Sequence, residues 1–255
     1  MADRLGAEVA AYAAQCVALA DWLDGLDDAR FDGPSVLDGW DVRRLVGHVV
    51  GSKEGLAAHL PTRADGPTTP AAQYVRAYAP AAEQITAATI EVTGDRTPGE
   101  LRAALRVPVE VPDGVTERTV IAGPRGAITA LDFARTRVLD LVVHCDDLTR
   151  SVPDREPVPL LRLALATTVR ALAEYLAQQA PGRSVEVRVP PFVAVQAITG
   201  PRHTRGTPPN VVEADPVAWL RVATGRTSFA EAVGAGTIRA SGNRADLGPY
   251  LPVLR

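Results

Sequence analysis

Residues 135–148 read RTRVLDLVVHCDDL, a stretch that combines a helical pattern with side chains able to carry chemistry. Asp140 and His144 are four residues apart and Asp147 follows three residues later, so on a helix the three side chains share one face. Apolar residues occupy a neighbouring face. The stretch therefore predicts a long helix over residues 129–150 that turns a polar stripe toward a cleft.

The same helix has a face that the pattern assigns to solvent. Its charged members are Asp132, Arg135, Asp146 and Arg150, and Leu139 falls among them. Because the helix already has a water-facing side, the stripe of Asp140, His144 and Asp147 is an additional polar line between apolar neighbours. Such a line is expected of groups that border a cleft.

A carboxylate and an imidazole one helical turn apart can together hold Zn²⁺ or another divalent ion. A third ligand must come from another helix, and His48 is the candidate because it lies in the middle of a helical stretch, residues 41–55. Three protein ligands leave a coordination position open, which is the condition for catalysis. Asp147 would orient a ligating histidine without touching the metal. The alternative is that His48 is an interior histidine with satisfied hydrogen bonds and no metal.

The composition describes an ordinary globular protein of 255 residues, 46% hydrophobic, with a net charge of −3. This balance does not favour nucleic-acid binding, and no apolar run reaches the ~18 residues of a membrane span. Cys16 and Cys145 are the only cysteines, too few for a disulfide framework or a cysteine zinc site. The low cysteine count is typical of a reducing cytoplasm, so we predict a cytoplasmic protein. We expect it to be a monomer or a homodimer.

Prolines, glycines and hydrophobic periodicity divide the first 150 residues into helices and one hairpin. The predicted helices cover residues 2–27, 41–60, 70–92, 98–105 and 129–150, with a break at Pro80. The predicted hairpin pairs valines of 107–111 with 120–121 around a turn at 112–114. Residues 151–159 contain three prolines and lack apolar periodicity, so they are the predicted linker.

The remaining residues, 160–255, alternate helical segments with β-branched ones and predict a small mixed α+β domain. The predicted helices cover 160–180, 215–223, 228–233 and 245–254, and the predicted strands cover 184–189, 192–199, 211–214 and 237–241. The whole chain is thus expected to be an α+β two-domain protein, with a helical bundle over 1–150 and the mixed domain after the linker.

Two motifs resemble those of mycothiol-dependent maleylpyruvate isomerase-like proteins, a DinB-like family. Residues 35–48, SVLDGWDVRRLVGH, resemble its opening S-x-x-x-G-W-x-V-x-x-L-x-x-H, and residues 137–148 resemble its R-x-x-E-x-x-x-H-x-x-D-L line. The resemblance implies a four-helix bundle that holds zinc through His48, Asp140 and His144, with Asp147 close by. Asp140 stands where the family usually has Glu, so its oxygen reaches ~1 Å less far, a difference that matters at metal distances.

The tail resembles the sterol-carrier-type domain that accompanies these bundles. Residues 219–226, WLRVATGR, resemble its L-x-x-L-x-T-G-R signature, and 236–243 resemble its G-x-V-x-x-x-G-D strand, with Asn243 in place of Asp. The resemblance implies an apolar pocket and arginines that help to hold an anionic substrate. Arg226 in the tail and Arg76 in the third helix are the candidates, although Arg226 could equally be a favourable charge at a helix C-terminus.

The resemblances imply a metal-dependent, mycothiol-using isomerase or S-transferase. In such an enzyme, the metal binds the thiol of mycothiol and deprotonates it, and the thiolate attacks a small electrophilic molecule. The alternative is a non-catalytic carrier of a lipid or small apolar ligand with a vestigial metal site, which the departures at Asp140 and Asn243 favour.

Overall fold

The computed structural model describes residues 3–200 and 210–254, which fall into two compact units, Met1–Ala164 and Leu165–Arg255. The first unit is helical apart from one short hairpin, and the second combines a sheet with helices. The predicted α+β class, a helical bundle followed by a small mixed domain, is confirmed. In the described part of the chain, no helix combines the length and the apolar character needed to cross a bilayer.

The first unit contains six α-helices and a two-stranded antiparallel sheet among its described residues. They are α1 (Arg4–Asp24), α2 (Val42–His59), α3 (Ala71–Arg76), α4 (Ala82–Thr93), α5 (Pro98–Arg106), β1 (Val120–Gly123), β2 (Gly126–Thr129) and α6 (Ala130–Ser151). Both α1 and α2 pack against α6, and α4 packs against α2. These four helices form the bundle, and α5 packs across α1 and α2.

Side-chain caps determine where α2 and α6 begin. The Asp41 carboxylate accepts a hydrogen bond from the Arg44 backbone N–H at 2.7 Å, which starts α2 as the sequence predicts. The Thr129 hydroxyl accepts one from the Asp132 N–H at 3.1 Å and starts α6. Each cap satisfies an N–H that has no partner within the helix.

Prolines explain one prediction that is confirmed and one that is wrong. The expected break at Pro80 is present, since a 3₁₀ turn over Ala79–Ala81 separates α3 from α4. The predicted hairpin around 112–114 is absent from the structure, because Pro108 and Pro112 have no N–H to donate to a strand partner. Instead β1 pairs with β2 around a turn at Pro124 and Arg125.

The proposed linker segment, residues 151–159, runs along α1 within the first unit. The Trp22 indole N–H donates to the Glu156 carbonyl at 2.7 Å, and the Gln15 amide donates to the Pro159 carbonyl at 2.8 Å. The Arg155 guanidinium donates to the Trp22 carbonyl at 2.7 Å. The segment is therefore tied to the bundle, and the domain boundary stays a prediction.

The second unit is built on a four-stranded sheet in the order β4-β3-β5-β6. Its elements are β3 (Val185–Val189), β4 (Val193–Ala197), β5 (Val211–Ala214), α8 (Pro216–Ala223), α9 (Phe229–Gly234) and β6 (Ile238–Ser241), preceded by α7 (Arg162–Gln179). Strand β3 pairs antiparallel with β4 and parallel with β5, and β5 pairs antiparallel with β6. The predicted closing helix over 245–254 is wrong: Pro249 and Pro252 restrict it to a 3₁₀ turn, Gly248–Tyr250.

Two glycines of α2 have different surroundings, so we expect their replacement by alanine to change the stability of the protein in opposite directions. A methyl group at Gly47 would overlap the Thr93 side chain of α4 and lie 2.9 Å from its Cβ, whereas a methyl group at Gly55 meets nothing within 4 Å. We expect Gly47→Ala to destabilise the protein by about 1–3 kcal/mol through overpacking. Gly55→Ala should stabilise it by up to about 1 kcal/mol through helix propensity. Urea unfolding measures both, and equal effects of the two substitutions would contradict this packing.

Candidate metal centre

Three side chains from two helices meet inside the bundle. His48 lies in the middle of α2, and Asp140 and His144 lie one turn apart on α6. The Nε2 atoms of both histidines lie 3.6 Å from the same carboxylate oxygen, Asp140 Oδ1. One donor atom from each of the three residues falls within 4.8 Å of the others, a spacing that could hold a metal ion.

The opposite ring nitrogen of each histidine has its own partner. His144 Nδ1 lies 3.1 Å from Oδ2 of the fully buried Asp147, and Arg150 donates to the other oxygen, Oδ1, at 3.3 Å. An ionised carboxylate only accepts, so His144 Nδ1 carries a proton, and in the neutral imidazole Nε2 is the nitrogen that keeps a lone pair for a metal. His48 Nδ1 lies 3.1 Å from the hydroxyl of Thr89, a buried residue of α4. This is how ligating histidines are usually oriented.

The second oxygen of Asp140 faces away from the histidines. Oδ2 accepts a hydrogen bond from the Ser52 hydroxyl at 2.7 Å, and the Arg137 guanidinium lies 3.9 Å from the same oxygen. Arg137 Nη1 also donates to Ser52 Oγ at 3.2 Å. Oδ1 of the carboxylate therefore faces two imidazoles, whereas Oδ2 faces hydrogen-bond donors.

The charges of the site are strongly coupled. Burial opposes a charge on Asp140, but the Arg137 guanidinium and the two imidazoles outweigh burial and hold the pKa of its carboxyl well below its ordinary value. Burial also opposes a charge on His144. Hydrogen bonds and attraction from Asp140 and Asp147 outweigh it and raise the pKa of His144 to about 9. Without a metal, the centre thus holds an ionised carboxylate beside a protonated imidazole at neutral pH.

These residues fit a divalent ion such as Zn²⁺. Two imidazole nitrogens and a carboxylate oxygen are ordinary zinc ligands, and bonds of ~2.0–2.1 Å in a tetrahedron separate neighbouring ligand atoms by about 3.4 Å. The 3.6 Å distances from Asp140 Oδ1 to each Nε2 lie close to that value. Although Asp is one methylene shorter than Glu, its oxygen thus reaches both histidines.

The side chains of the centre are largely shielded from solvent. The side chains of His48, Asp140 and His144 keep 15%, 20% and 12% of their surface exposed. The two imidazoles meet edge to face with ring centres 4.8 Å apart, and the Trp40 ring lies edge to face with His48 at 5.5 Å. The Trp40 indole is itself partly exposed, so it borders the His48 side of the triad at the protein surface.

Two family models match the chain, one over each part of it. The model described as the mycothiol maleylpyruvate isomerase N-terminal domain matches residues 12–149, more than half of the chain. The chain belongs to the mycothiol maleylpyruvate isomerase family. The resemblance that its two motifs predict is confirmed. A second model, described as bacterial SCP ortholog, matches residues 161–253 and confirms the sterol-carrier-type tail.

Solved structures show the same fold over nearly the whole chain. The crystal structure of the mycothiol-dependent maleylpyruvate isomerase matches with a TM-score of 0.56 at 17% identity, covering 95% of this chain and 94% of that one. The structure of a histidine-to-alanine mutant of the isomerase matches with the same values. Among curated protein sequences, none matches this chain significantly.

The two arginines that the family resemblance implies lie in different units. Arg76 is exposed at the end of α3, and the described contacts of the triad do not include it. Arg226 follows α8 in the second unit, where its guanidinium donates to the Thr224 carbonyl at 2.9 Å. That contact is the helix C-terminal interaction considered as the alternative role of Arg226.

The remaining histidines lie apart from the centre or outside the described residues. His59, the last residue of α2, has Nδ1 2.8 Å from the Ala122 carbonyl and packs edge to face with Phe133. His203 lies outside the described residues.

The predicted solvent face of α6 is partly wrong. Asp146 is 4% exposed and Leu139 is 5% exposed, so both are buried. Asp132, Arg135 and Arg150 keep partial exposure. Because neighbouring helices cover α6 on more than one side, little of it is left to water.

Three residues that the sequence analysis did not single out complete the centre: Ser52, Thr89 and Arg137. Ser52 follows His48 by four residues and Arg137 precedes Asp140 by three, so each shares a helix face with a ligand candidate. The spacing along each helix therefore indicates that Ser52 and Arg137 lie near the ligand candidates. Thr89 lies 41 residues from His48, and no local pattern links the two.

The raised pKa of His144 predicts that metal affinity in this family member depends on pH. A metal must displace the imidazolium proton, so affinity should rise about tenfold per pH unit up to about pH 9, the pKa of His144, and then level off. The stability of the metal-free protein should follow the opposite trend. The imidazolium contributes fully below the ordinary histidine pKa of about 6.5, and its contribution is lost as the pH rises through about 9. Zinc titrations against a chromophoric chelator measure the affinity, and a flat profile over this interval would contradict the assignment.

Proposed function

We propose that this protein is a metal-dependent enzyme that uses mycothiol and acts as an isomerase or S-transferase on a small electrophilic molecule. The observation that carries the proposal is the convergence of His48 and His144 Nε2 on Asp140 Oδ1, each at 3.6 Å. Family membership supports the choice of mycothiol as the thiol and of an isomerase-like reaction.

The residues of the centre would each do a separate task. His48, Asp140 and His144 would hold Zn²⁺ or another divalent ion, and Asp147 would keep His144 in the tautomer that binds metal. When bound, the ion would supply positive charge that converts a coordinated thiol into its thiolate. With only three ligand candidates in the described cluster, a coordination position is left for that thiol.

The substrate would be a small electrophile, such as an unsaturated acid. Addition of the thiol sulfur to an unsaturated carbon allows rotation about the former double bond, after which loss of the thiol gives an isomer. A displacement would instead break the bond to a leaving group on the electrophile as the carbon–sulfur bond forms, which leaves the sulfur attached, as in a transferase. Neither reaction needs a nucleophile from the protein, because the thiol of mycothiol provides it.

Arg76 and Arg226 are the proposed contacts to an anionic substrate. Arginine binds carboxylates through two parallel hydrogen bonds, which would orient a substrate acid group. Replacing either arginine with alanine should raise the KM for the acid without changing metal content. An unchanged KM in both variants would remove them from the proposal.

The test of the proposal is thiol chemistry that depends on the metal. Mycothiol and a panel of electrophiles that includes maleylpyruvate would be incubated with protein as purified, after chelation, and after metal is restored. We expect thiol consumption or isomerisation with metal, loss on chelation and recovery on reloading. Absence of turnover across the whole panel with metal-loaded protein would refute the proposal.

A second candidate is a carrier function of the sterol-carrier-type tail. In the second unit, Trp219 is fully buried and its indole N–H has no hydrogen-bond partner among the described residues. An unsatisfied buried donor costs about 1–3 kcal/mol, and a polar atom of a bound ligand would satisfy it. Native mass spectrometry and displacement of a fluorescent lipid test this function. A ligand-free spectrum together with no lipid uptake would exclude it.

A further inference from the structure

The two oxygens of Asp140 have different surroundings. Oδ1 lies 3.6 Å from both His48 Nε2 and His144 Nε2, where a metal would bind. Oδ2 is 2.7 Å from the Ser52 hydroxyl. A carboxylate with one oxygen engaged in this way would offer its other oxygen to a metal.

The direction of the Ser52 hydrogen bond follows from its neighbours. Arg137 Nη1 lies 3.2 Å from Ser52 Oγ, and a guanidinium only donates. Ser52 Oγ therefore accepts from Arg137, and its own proton points to Asp140 Oδ2. The three side chains thus form a hydrogen-bond relay that runs from Arg137 through Ser52 to Asp140.

The start of this relay is itself fixed by packing. Arg137 is 7% exposed, and its Nη2 donates to the Tyr78 hydroxyl. Its guanidinium carbon lies 5.2 Å from the centre of the Tyr78 ring and 5.5 Å from that of Phe133. A cation held between aromatic rings and hydrogen-bond acceptors has little freedom to turn away from Ser52.

We propose that Ser52 and Arg137 are positioning residues for Asp140. They keep Asp140 Oδ2 in a hydrogen bond, so that the carboxylate would bind a metal through Oδ1 alone. This inference rests on the proposed function, since it concerns the same metal. A carboxylate that bound through both oxygens would occupy the position needed by a thiol. The relay keeps that position open.

The relay also suits an aspartate at position 140. The shorter side chain has fewer torsions than glutamate, so one hydrogen bond to Oδ2 is enough to orient the whole carboxylate. Ser52 lies on α2 four residues after His48, and it therefore ties the Asp140 carboxylate to the helix that provides the third ligand candidate.

The experiment is a titration of the chelator-treated, full-length protein with Co²⁺ alone, which reports affinity and, through its visible absorption, coordination. Ser52→Ala should bind Co²⁺ about 10–100-fold more weakly than the wild type and show a changed visible spectrum. Ser52→Thr retains the hydroxyl and should recover most of the affinity. Arg137→Lys keeps the charge but not the planar fork, so it should shift both readouts in the same direction as Ser52→Ala.

Thr149→Ala is the matched control. Its hydroxyl lies on α6, the helix of Asp140, but it donates to the Cys145 carbonyl at 3.0 Å and accepts from the Val158 N–H. It should leave both cobalt readouts unchanged, which separates loss of the relay from loss of a helix hydroxyl. Circular dichroism and the Tm of the metal-free variants verify folding.

The outcomes distinguish the two proposals. Equal affinity and equal spectra for the wild type, Ser52→Ala and Arg137→Lys would overturn this inference and leave the proposed function intact. No cobalt binding by the wild type would overturn the proposed function and the inference with it. Weaker binding and an altered spectrum in Ser52→Ala and Arg137→Lys, with recovery in Ser52→Thr, would support both.

Discussion

Alanine in place of His144 is expected to strip the metal from the protein and to weaken zinc binding more than about a hundredfold. Loss of an outer partner of a ligand costs about 10–100-fold in metal affinity, and loss of a ligand itself should cost more. The substitution leaves two donors on different helices, His48 and Asp140, and removes the hydrogen bond to Asp147. His48→Ala should have a similar effect, because both imidazoles lie 3.6 Å from the same carboxylate oxygen.

His59→Ala is the control for these variants. His59 lies on α2 like His48, but its ring contacts the Ala122 carbonyl and Phe133 rather than the triad. Elemental mass spectrometry of the purified proteins should find an ion in the wild type and in His59→Ala, and none in the two triad variants. One ion per chain in His144→Ala would show that the metal binds elsewhere.

The part of the centre that lies on one helix could be predicted from the sequence. Asp140, His144 and Asp147 follow helical spacing, and the helix begins where Thr129 caps it. Because the period of an α-helix is regular, positions three or four residues apart must share a face. Apart from the family motif, the pattern of residues offers His48 only as an isolated helical histidine, and its approach to Asp140 depends on how α2 packs against α6.

Features that depend on neighbours in space were harder to predict. The contact of Thr89 with His48 requires α4 to lie close to α2, and that approach uses the small Gly47 against Thr93. The burial of Asp146 and Leu139 likewise reflects helices packed on more than one side of α6. A helical wheel orders the faces of one helix but carries no information on how many of them other helices cover.

In the segment before β1 and at the end of the chain, the hydrophobic pattern and the prolines favour different structures. The valines of 107–111 have high β-propensity, but Pro108 and Pro112 deprive that segment of backbone donors. The hairpin forms further along, where Gly123 and Gly126 flank its turn. The apolar residues after 245 are buried without a helix, since Leu247 and Val253 pack into the second unit from an irregular chain.

Asp147→Asn is expected to weaken metal binding about 10–100-fold while leaving the fold intact. The substitution keeps the shape of a side chain that is 0% exposed but replaces one acceptor with an NH₂ donor. Arg150 donates to Oδ1 at 3.3 Å, so it should hold the amide oxygen there and turn the NH₂ toward His144 Nδ1. Nδ1 must then accept, the proton moves to Nε2, and His144 loses the lone pair that binds metal.

This explanation can be separated from a simple loss of charge. Without the Asp147 carboxylate, the raised pKa of His144 should fall, which by itself would help a metal to compete with the proton. The two effects have opposite signs, and only the tautomer effect persists above about pH 9, where wild-type His144 is already neutral. Cobalt titrations above that pH should therefore show the largest difference between the variant and the wild type. Asp132→Asn, at the start of α6, is the control and should bind like the wild type.

Arg150→Ala provides the sharper test when it is combined with Asp147→Asn. Without Arg150, the donor that holds the amide oxygen at the Oδ1 position is lost, and turning this oxygen toward His144 Nδ1 would restore the metal-binding tautomer. The double variant should therefore bind metal more tightly than Asp147→Asn alone, although it has lost a further hydrogen bond. If instead the two substitutions weaken binding additively, Asp147 acts through its charge, and the buried carboxylate does not set the tautomer of His144.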